Sequence, residues 1–116
     1  MAVPRISPED LARWLEGAAG AAAAPLIVDV RLKYPYEHST MTLPGAFRLL
    51  PGETAPREWP RDHDIVLYDS DPDDIVAERA AFELQRLGCR VLVLRGGIAA
   101  WAAARLPTSP KTAPQL

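Results

Sequence analysis

The sequence has one cysteine, Cys89, and it lacks long apolar runs, a strong net charge and clusters of lysine or arginine. A single cysteine excludes an internal disulfide and fits a reducing compartment. A net charge of -2 without a basic stripe argues against nucleic acid as a partner. The alanine-rich run at 18–25 is too short to cross a bilayer, and the opening residues lack the apolar core of a signal peptide. The composition therefore predicts a soluble cytoplasmic protein with no disulfide and no membrane partner.

The sequence does contain the material for one buried core, since 48% of its 116 residues are hydrophobic. Short apolar runs alternate with amphipathic segments, an order that predicts a parallel sheet in an α/β domain. The predicted strands cover 26–30, 45–50, 64–68 and 91–94, and the predicted helices cover 8–16, 73–87 and 98–105. The residues between the first two strands, 31–44, read as a long polar loop. We predict one domain over residues 1–107, followed by a tail over 108–116.

Two predicted helices have clear end signals. Ser7 precedes Pro8 and an acidic residue, as a capping serine does before a proline at the first helical position. Gly88 follows the last apolar position of the 73–87 segment and predicts its C-terminal cap.

Four carboxylates crowd the loop that follows the 64–68 strand. The loop consists of Asp69, Ser70, Asp71, Pro72, Asp73, Asp74 and Ile75. Such charges repel one another unless a cation or an arginine relieves them, and Arg31, Arg79 and Arg95 are the candidate arginines. The simpler alternative is that Asp73 or Asp74 caps the next helix while the other acids are solvated.

Other interpretations of the acidic loop fit less well. Asp69 and Asp71 have the spacing of the acid pair in haloacid dehalogenase-like phosphatases, but the downstream motifs of that family are missing. An EF-hand loop would need a glycine at Asp74 and a glutamate at Ala80. We therefore assign no metal and no cofactor to the loop.

Four motifs, in the same order along the chain, resemble the rhodanese-like (sulfurtransferase) domain family. They are LIVDVR at 26–31, LPGA at 43–46, LRGGIAAW at 94–101 and Leu106-Pro107, and the resemblance covers about 6–107. It implies a single α/β domain with a mainly parallel central sheet and helices on both faces. It also implies a catalytic cysteine directly after the central strand, which becomes a persulfide held by the N–H groups of the loop.

The chain departs from that family at the reactive position, where it has Asp69, and Thr42 stands where the family often has a histidine. Cys89 precedes a strand and so belongs at the opposite sheet edge, roughly 15 Å away for a short strand. A carboxylate does not carry sulfur chemistry as a thiolate does. We predict that no catalytic residue is retained and that the domain is inactive as a sulfurtransferase.

The predicted role is a binding or regulatory module whose partner, a protein or a small molecule, meets the acidic loop. Asp29, Arg31 and Arg95 are candidate pocket residues. A related hypothesis is that the Asp69 carboxylate folds into the loop N–H groups, which would favour its ionised form. The alternatives are a divergent, phosphatase-like enzyme that uses the acidic loop with a divalent cation, and a sulfurtransferase that relies on a partner's thiol.

Overall fold

The predicted apolar runs form the centre of a parallel sheet. A computed structural model of the chain describes residues 3–17, 24–49, 59, 63–71 and 73–111. The strands are β1 (Arg5–Ile6), β2 (Leu26–Asp29), β3 (Met41–Thr42), β4 (Phe47–Arg48), β5 (Asp64–Tyr68), β6 (Arg90–Leu94) and β7 (Ser109–Pro110). The helices are α1 (Pro8–Gly17), α2 (Lys33–His38), α3 (Ile75–Arg86) and α4 (Gly97–Ala103). Five strands form one sheet in the order β1-β6-β5-β2-β4, and all of their pairings are parallel.

Helices cover both faces of this sheet because successive side chains of a strand point in opposite directions. In β5, Ile65 and Leu67 lie in a buried cluster with α3, whereas Val66 and Tyr68 lie in a second cluster with α1 and α4. The predicted α/β domain with a parallel central sheet and helices on both faces is confirmed. Within the described ranges, no helix has the length and apolar character that a membrane span requires.

The helix end signals act as predicted. The Ser7 hydroxyl accepts a hydrogen bond from the Asp10 N–H at 3.1 Å, which caps α1. Leu11 of that helix is fully buried against the sheet. Gly88 follows α3 with a φ of 91°, and its N–H donates to the Gln85 carbonyl at 2.9 Å. A left-handed glycine after a helix is the ordinary way to satisfy its last carbonyls.

The segment 31–44 differs from the predicted loop, since it contains α2 and β3. The helix was missed because none of its residues is buried, so it shows no apolar periodicity. Pro35 also lies within it, at the third position, where a missing N–H costs no hydrogen bond inside the helix.

The predicted C-terminal tail begins with a paired strand, which corrects the expectation of a trailing segment. β7 pairs with β3 in an antiparallel two-stranded sheet, with Met41 opposite Pro110 and Thr42 opposite Ser109. The domain boundary after residue 107 stays a prediction.

The sequence pattern also missed β1, an edge strand of the sheet that pairs with β6. Two residues are too few to show the alternation that marks a strand. Interpretations placed on residues 18–23, 50–58, 60–62 and 112–116 fall outside the described residues and stay predictions. Trp59, which does belong to the described part, is buried against the α3 side of the sheet.

Candidate functional site at the carboxyl edge of the sheet

Two groups of charged side chains follow the neighbouring strands β2 and β5. Asp29 ends β2 directly opposite Tyr68, which ends β5, and Asp69 comes next. The Val30 N–H donates to the Tyr68 carbonyl at 2.9 Å, so the pairing continues to the edge itself. Since the carboxyl ends of parallel strands meet at one edge, the acidic loop and the predicted pocket residues Asp29 and Arg31 are neighbours.

Asp69 is buried, with 1% of its surface exposed, and both of its carboxylate oxygens accept backbone N–H groups. Oδ1 accepts the Asp71 N–H at 2.9 Å, and Oδ2 accepts the Ala77 N–H at 2.6 Å. Ala77 is the third residue of α3, so Asp69 satisfies an N–H group at the helix start. The alternative that Asp73 or Asp74 provides the cap is wrong, because Asp73 is exposed and Asp74 makes no side-chain cap bond.

Burial raises the pKa of the Asp69 carboxyl above its ordinary value, and the charges of Asp74 and Asp71 add to that rise. The N–H groups of Ala77 and Asp71 lower the pKa but do not outweigh burial. The expected geometry of a carboxylate among loop N–H groups is therefore present. The expectation that these donors favour the ionised form is confirmed, since both lower the pKa, but burial outweighs them and the pKa as a whole is raised.

Asp74 has a left-handed backbone, with φ 61°, and its carboxylate is buried. Oδ2 accepts from Arg5 Nη1 at 2.6 Å and from the Gly96 N–H at 3.1 Å, whereas the buried Oδ1 has no hydrogen-bond partner among the described residues. Arg5 also pairs with Glu78 on α3. The arginine that offsets the acidic loop is therefore Arg5, which the sequence interpretation missed.

Among the described residues, none of the three arginines proposed for that task forms an ion pair with the loop acids. Arg31 is buried in an ion pair with Asp29, and Arg79 and Arg95 are exposed. The sequence pattern did not point to Arg5 because β1 is too short to be recognised as a strand. Arg5 can be assigned to the acidic loop only when β1 is known to pair with β6.

The start of α4 packs directly against the Asp69 backbone. The Ile98 N–H donates to the Asp69 carbonyl at 3.0 Å. A Cβ at Gly97, whose φ is +62°, would lie 2.2 Å from that same carbonyl oxygen. The position therefore requires glycine for space and for backbone conformation.

Asp29 and Arg31 form a buried cluster with Tyr68. Arg31 Nε and Nη2 donate to the Asp29 carboxylate at 3.0 and 2.7 Å, and the Tyr68 hydroxyl donates to Asp29 Oδ2 at 2.9 Å. That hydroxyl accepts the Leu43 N–H at 3.3 Å, and Arg31 Nη2 also donates to the Met41 carbonyl at 3.1 Å. These bonds fasten β2, β5 and the 31–44 segment together.

The electrostatics of this cluster follow from burial and from the charge of Asp29. Burial alone would lower the pKa of Arg31, but the bond to Asp29 and its charge raise it. Burial, with the Asp29 charge, raises the pKa of Tyr68, so its hydroxyl stays a donor. The Asp29–Arg31 ion pair thus has a structural role. Buried charges are expected to have compensating partners of this kind.

The structure places the remaining predicted site residues as follows. Ser70 and Asp71 are partly exposed, Asp73 and Ile75 are exposed, and Pro72 lies outside the described residues. The Asp71 carboxylate accepts the Asp73 N–H at 2.8 Å, which turns the loop back on itself. Among the described side chains, no three of His, Cys, Asp and Glu are grouped as ligands for a metal ion. The site assignment as a whole stays a prediction.

Cys89 is a buried free thiol in the core cluster on the α3 side of the sheet. It precedes β6, whereas Asp69 follows β5, the parallel neighbour of β6. The thiol and the acidic loop are therefore at opposite edges of the sheet.

Comparison with known proteins gives one family and several similar structures. The model of the rhodanese-like domain matches residues 7–104. A full-length protein from Lactobacillus plantarum is similar with a TM-score of 0.79 at 21% identity, over 92% of this chain and 88% of that one. A possible tyrosine phosphatase from Rhodopseudomonas palustris has a TM-score of 0.72 at 22% identity, over 92% and 85% of the two chains.

A thiosulfate sulfurtransferase from Pseudomonas aeruginosa is similar with a TM-score of 0.68 at 27% identity, over 92% of this chain but 19% of that one. Comparison with curated protein sequences finds no match. The neighbours under 25% identity establish the fold only.

Proposed function

The chain belongs to the rhodanese-like domain family, and we propose that it acts as a binding or regulatory module and is inactive as a sulfurtransferase. One observation carries the proposal. Asp69 follows the central strand β5, where the family resemblance puts the catalytic cysteine, and its carboxylate is buried among the N–H groups of its own loop. The partner, a protein or a small molecule, would meet the exposed part of this loop.

Two physical arguments support the loss of sulfur transfer. A carboxylate oxygen lacks the nucleophilic and redox chemistry by which a thiolate accepts and releases sulfur. Cys89 cannot substitute from the opposite sheet edge, since it is buried in the core there. The persulfide of an active domain would need the N–H groups that Asp69 already uses.

The direct experiment is thiocyanate formation from thiosulfate and cyanide by the purified full chain. We expect no rate above the uncatalysed one. Asp69→Cys serves as the positive variant, with slow turnover expected because Asp71 and Asp74 oppose formation of a thiolate beside them. Turnover by the natural chain that persists in Cys89→Ser would contradict the proposal.

A second experiment tests whether Asp69 takes the place of a bound anion. We expect calorimetry to show sulfate binding by Asp69→Ala and none by the natural chain, since the alanine frees the Asp71 and Ala77 N–H groups. Asp73→Ala, an exposed acid of the same loop, is the control for lost negative charge. Equal sulfate binding by the natural chain and Asp69→Ala would show that the carboxylate does not occupy an anion site.

A divergent cation-dependent hydrolase is the second candidate function, and one observation favours it. Within the described part of the chain, the buried Asp74 Oδ1 accepts no hydrogen bond, so it has a free lone pair. Against it, Asp74 Oδ2 is paired with Arg5, and both Asp69 oxygens accept N–H groups. Hydrolysis of an aryl phosphate that requires Mg²⁺ or Mn²⁺ and disappears in Asp74→Asn would establish this candidate. Thiocyanate formation that appears only with an added thiol protein would instead establish the partner-thiol alternative.

A further inference from the structure

The helix α2 forms part of the carboxyl edge but has little attachment to the core. None of its residues is buried, and Tyr36 is the one residue among Lys33–His38 that is half-buried, the others being exposed. A six-residue helix without a buried face has no stability of its own in water. Its position therefore depends on contacts made by Tyr36 and by the two ends of the helix.

The C-terminal segment Ser109–Lys111 contacts the C-terminal end of the helix and is one of the partners of the Tyr36 ring. Its strand β7 pairs with β3, and the Lys111 N–H donates to the Thr40 carbonyl at 2.9 Å. The Lys111 ammonium donates to the carbonyls of Tyr36 and Glu37 at 2.7 and 3.2 Å. These carbonyls belong to the last turn of α2, where a cation is favourable to the helix dipole.

Tyr36 also joins this segment to the buried cluster. Its ring centroid lies 4.5 Å from Lys111 Nζ, 4.0 Å from Arg48 Cζ and 5.2 Å from Arg31 Cζ. All three distances are within the range of cation–π attraction. Arg31 in turn binds Asp29, which accepts the hydroxyl of Tyr68, the residue directly before Asp69.

We propose that Ser109–Lys111 is a strap that holds α2 in place and, through Tyr36, positions the cluster beside the acidic loop. Lys111 is the positioning residue, because it alone contacts the helix carbonyls and the tyrosine ring together from the strap. A partner that paired with β3 in place of β7 would remove Lys111 and release α2. This inference does not depend on whether the domain transfers sulfur.

The test is hydrogen exchange on the full chain, read at the N–H groups of Tyr36, Ser39, Leu43 and Asp71. In Lys111→Met we expect Tyr36 and Ser39 to exchange about tenfold faster, a change that corresponds to about 1.4 kcal/mol of opening free energy. Leu43 and Asp71 should also exchange faster, by a smaller factor. Lys111→Arg keeps the cation and its donors and should restore rates to within about twofold of the natural chain's.

Arg86→Met is the matched control, since it removes an exposed cation from α3, away from the strap. We expect it to leave all four rates unchanged. Equal rates in Lys111→Met and Arg86→Met would overturn the strap. Faster exchange at Tyr36 and Ser39 with no change at Leu43 and Asp71 would overturn the positioning role, and an equal rise throughout β5 would show general destabilisation instead.

Discussion

Asp29 and Asp69 are both buried aspartates at the same sheet edge, yet they are stabilised in different ways. Asp29 has a bidentate arginine and a tyrosine hydroxyl, and Arg48 approaches to 3.7 Å. Asp69 has two backbone N–H donors, and burial, with a smaller contribution from two acidic neighbours, raises its pKa. The comparison separates a carboxylate that has an arginine as its charged partner from one whose oxygens accept only backbone N–H groups.

The largest loss of stability is expected when the buried cluster of Asp29, Arg31 and Tyr68 is broken. Arg31→Met leaves Asp29 as a buried charge without its arginine and should lower the free energy of unfolding by about 3–5 kcal/mol. Urea denaturation measures this. The double variant Asp29→Asn/Arg31→Met should lose less stability than the sum of the losses in the two single variants, because it removes both charges. A loss below about 1 kcal/mol in Arg31→Met would show that Asp29 is compensated without it.

Backbone geometry around Asp69 is tested next, at Gly97. Gly97→Ala combines a left-handed φ with a Cβ placed 2.2 Å from the Asp69 carbonyl oxygen. We expect the forced contact to lower the free energy of unfolding by about 1–3 kcal/mol, in addition to the cost of the backbone strain. Gly45→Ala is the control, since Gly45 has a φ of +72° and no atom of the described residues lies within 4 Å of the added Cβ. Equal destabilisation of the two variants would mean that the loop moves away from α4 at no cost.

A smaller loss is expected when the Arg5 bridge is removed. Arg5 is partly exposed, whereas its partner Asp74 has a buried side chain. Arg5→Met should destabilise the chain by about 1–2 kcal/mol, between the values for exposed and fully buried pairs. Arg13→Met, which breaks an exposed pair with Asp10, should change stability by less than about 1 kcal/mol. If thermal unfolding shows equal losses of stability in Arg5→Met and Arg13→Met, then Arg5 does not stabilise the acidic loop.

The smallest effect is a pH dependence from Asp69. Its pKa is raised in the folded state, so between the ordinary and the raised value the folded chain binds more protons than the unfolded one. The Asp69 contribution to stability is therefore present below its ordinary pKa and is lost as pH rises through the raised value. Asp69→Asn removes this slope, which is at most about 1.4 kcal/mol per pH unit for one proton. Denaturation from pH 3 to 8 should show the variant gaining stability relative to the natural chain as pH rises; parallel curves would contradict the shift.

The sequence was sufficient where one local pattern specifies one structure. The apolar runs at 26–30 and 64–68, the Ser7 cap and Gly88 each act through neighbours in the chain, and each was placed to within one residue. The alternation of apolar runs with amphipathic segments predicted the parallel sheet, and the family motifs agreed with that prediction, which the observed sheet confirms.

The sequence was insufficient where function depends on contacts between distant residues. Arg5 meets Asp74 across 69 positions, which no local pattern reports. The cap of α3 comes from Asp69, eight positions before Ala77, and so lies outside the usual spacing of a capping residue. The left-handed backbone of Asp74 also turns its side chain to Arg5 and Gly96 and away from the helix it precedes.

The bonds from Asp69 to Asp71 and Ala77 make the carboxylate a ligand that is tethered to its own binding site. A dissociable anion would stabilise the start of α3 by an amount that depends on the ratio of its concentration to its Kd and rises with the logarithm of that concentration. A tethered group instead has a fixed effective concentration, which for short tethers is about millimolar or higher. The Asp71 and Ala77 N–H groups are therefore occupied at any concentration of anion in solution. Added sulfate or thiosulfate should not raise the melting temperature of the natural chain by binding to this loop.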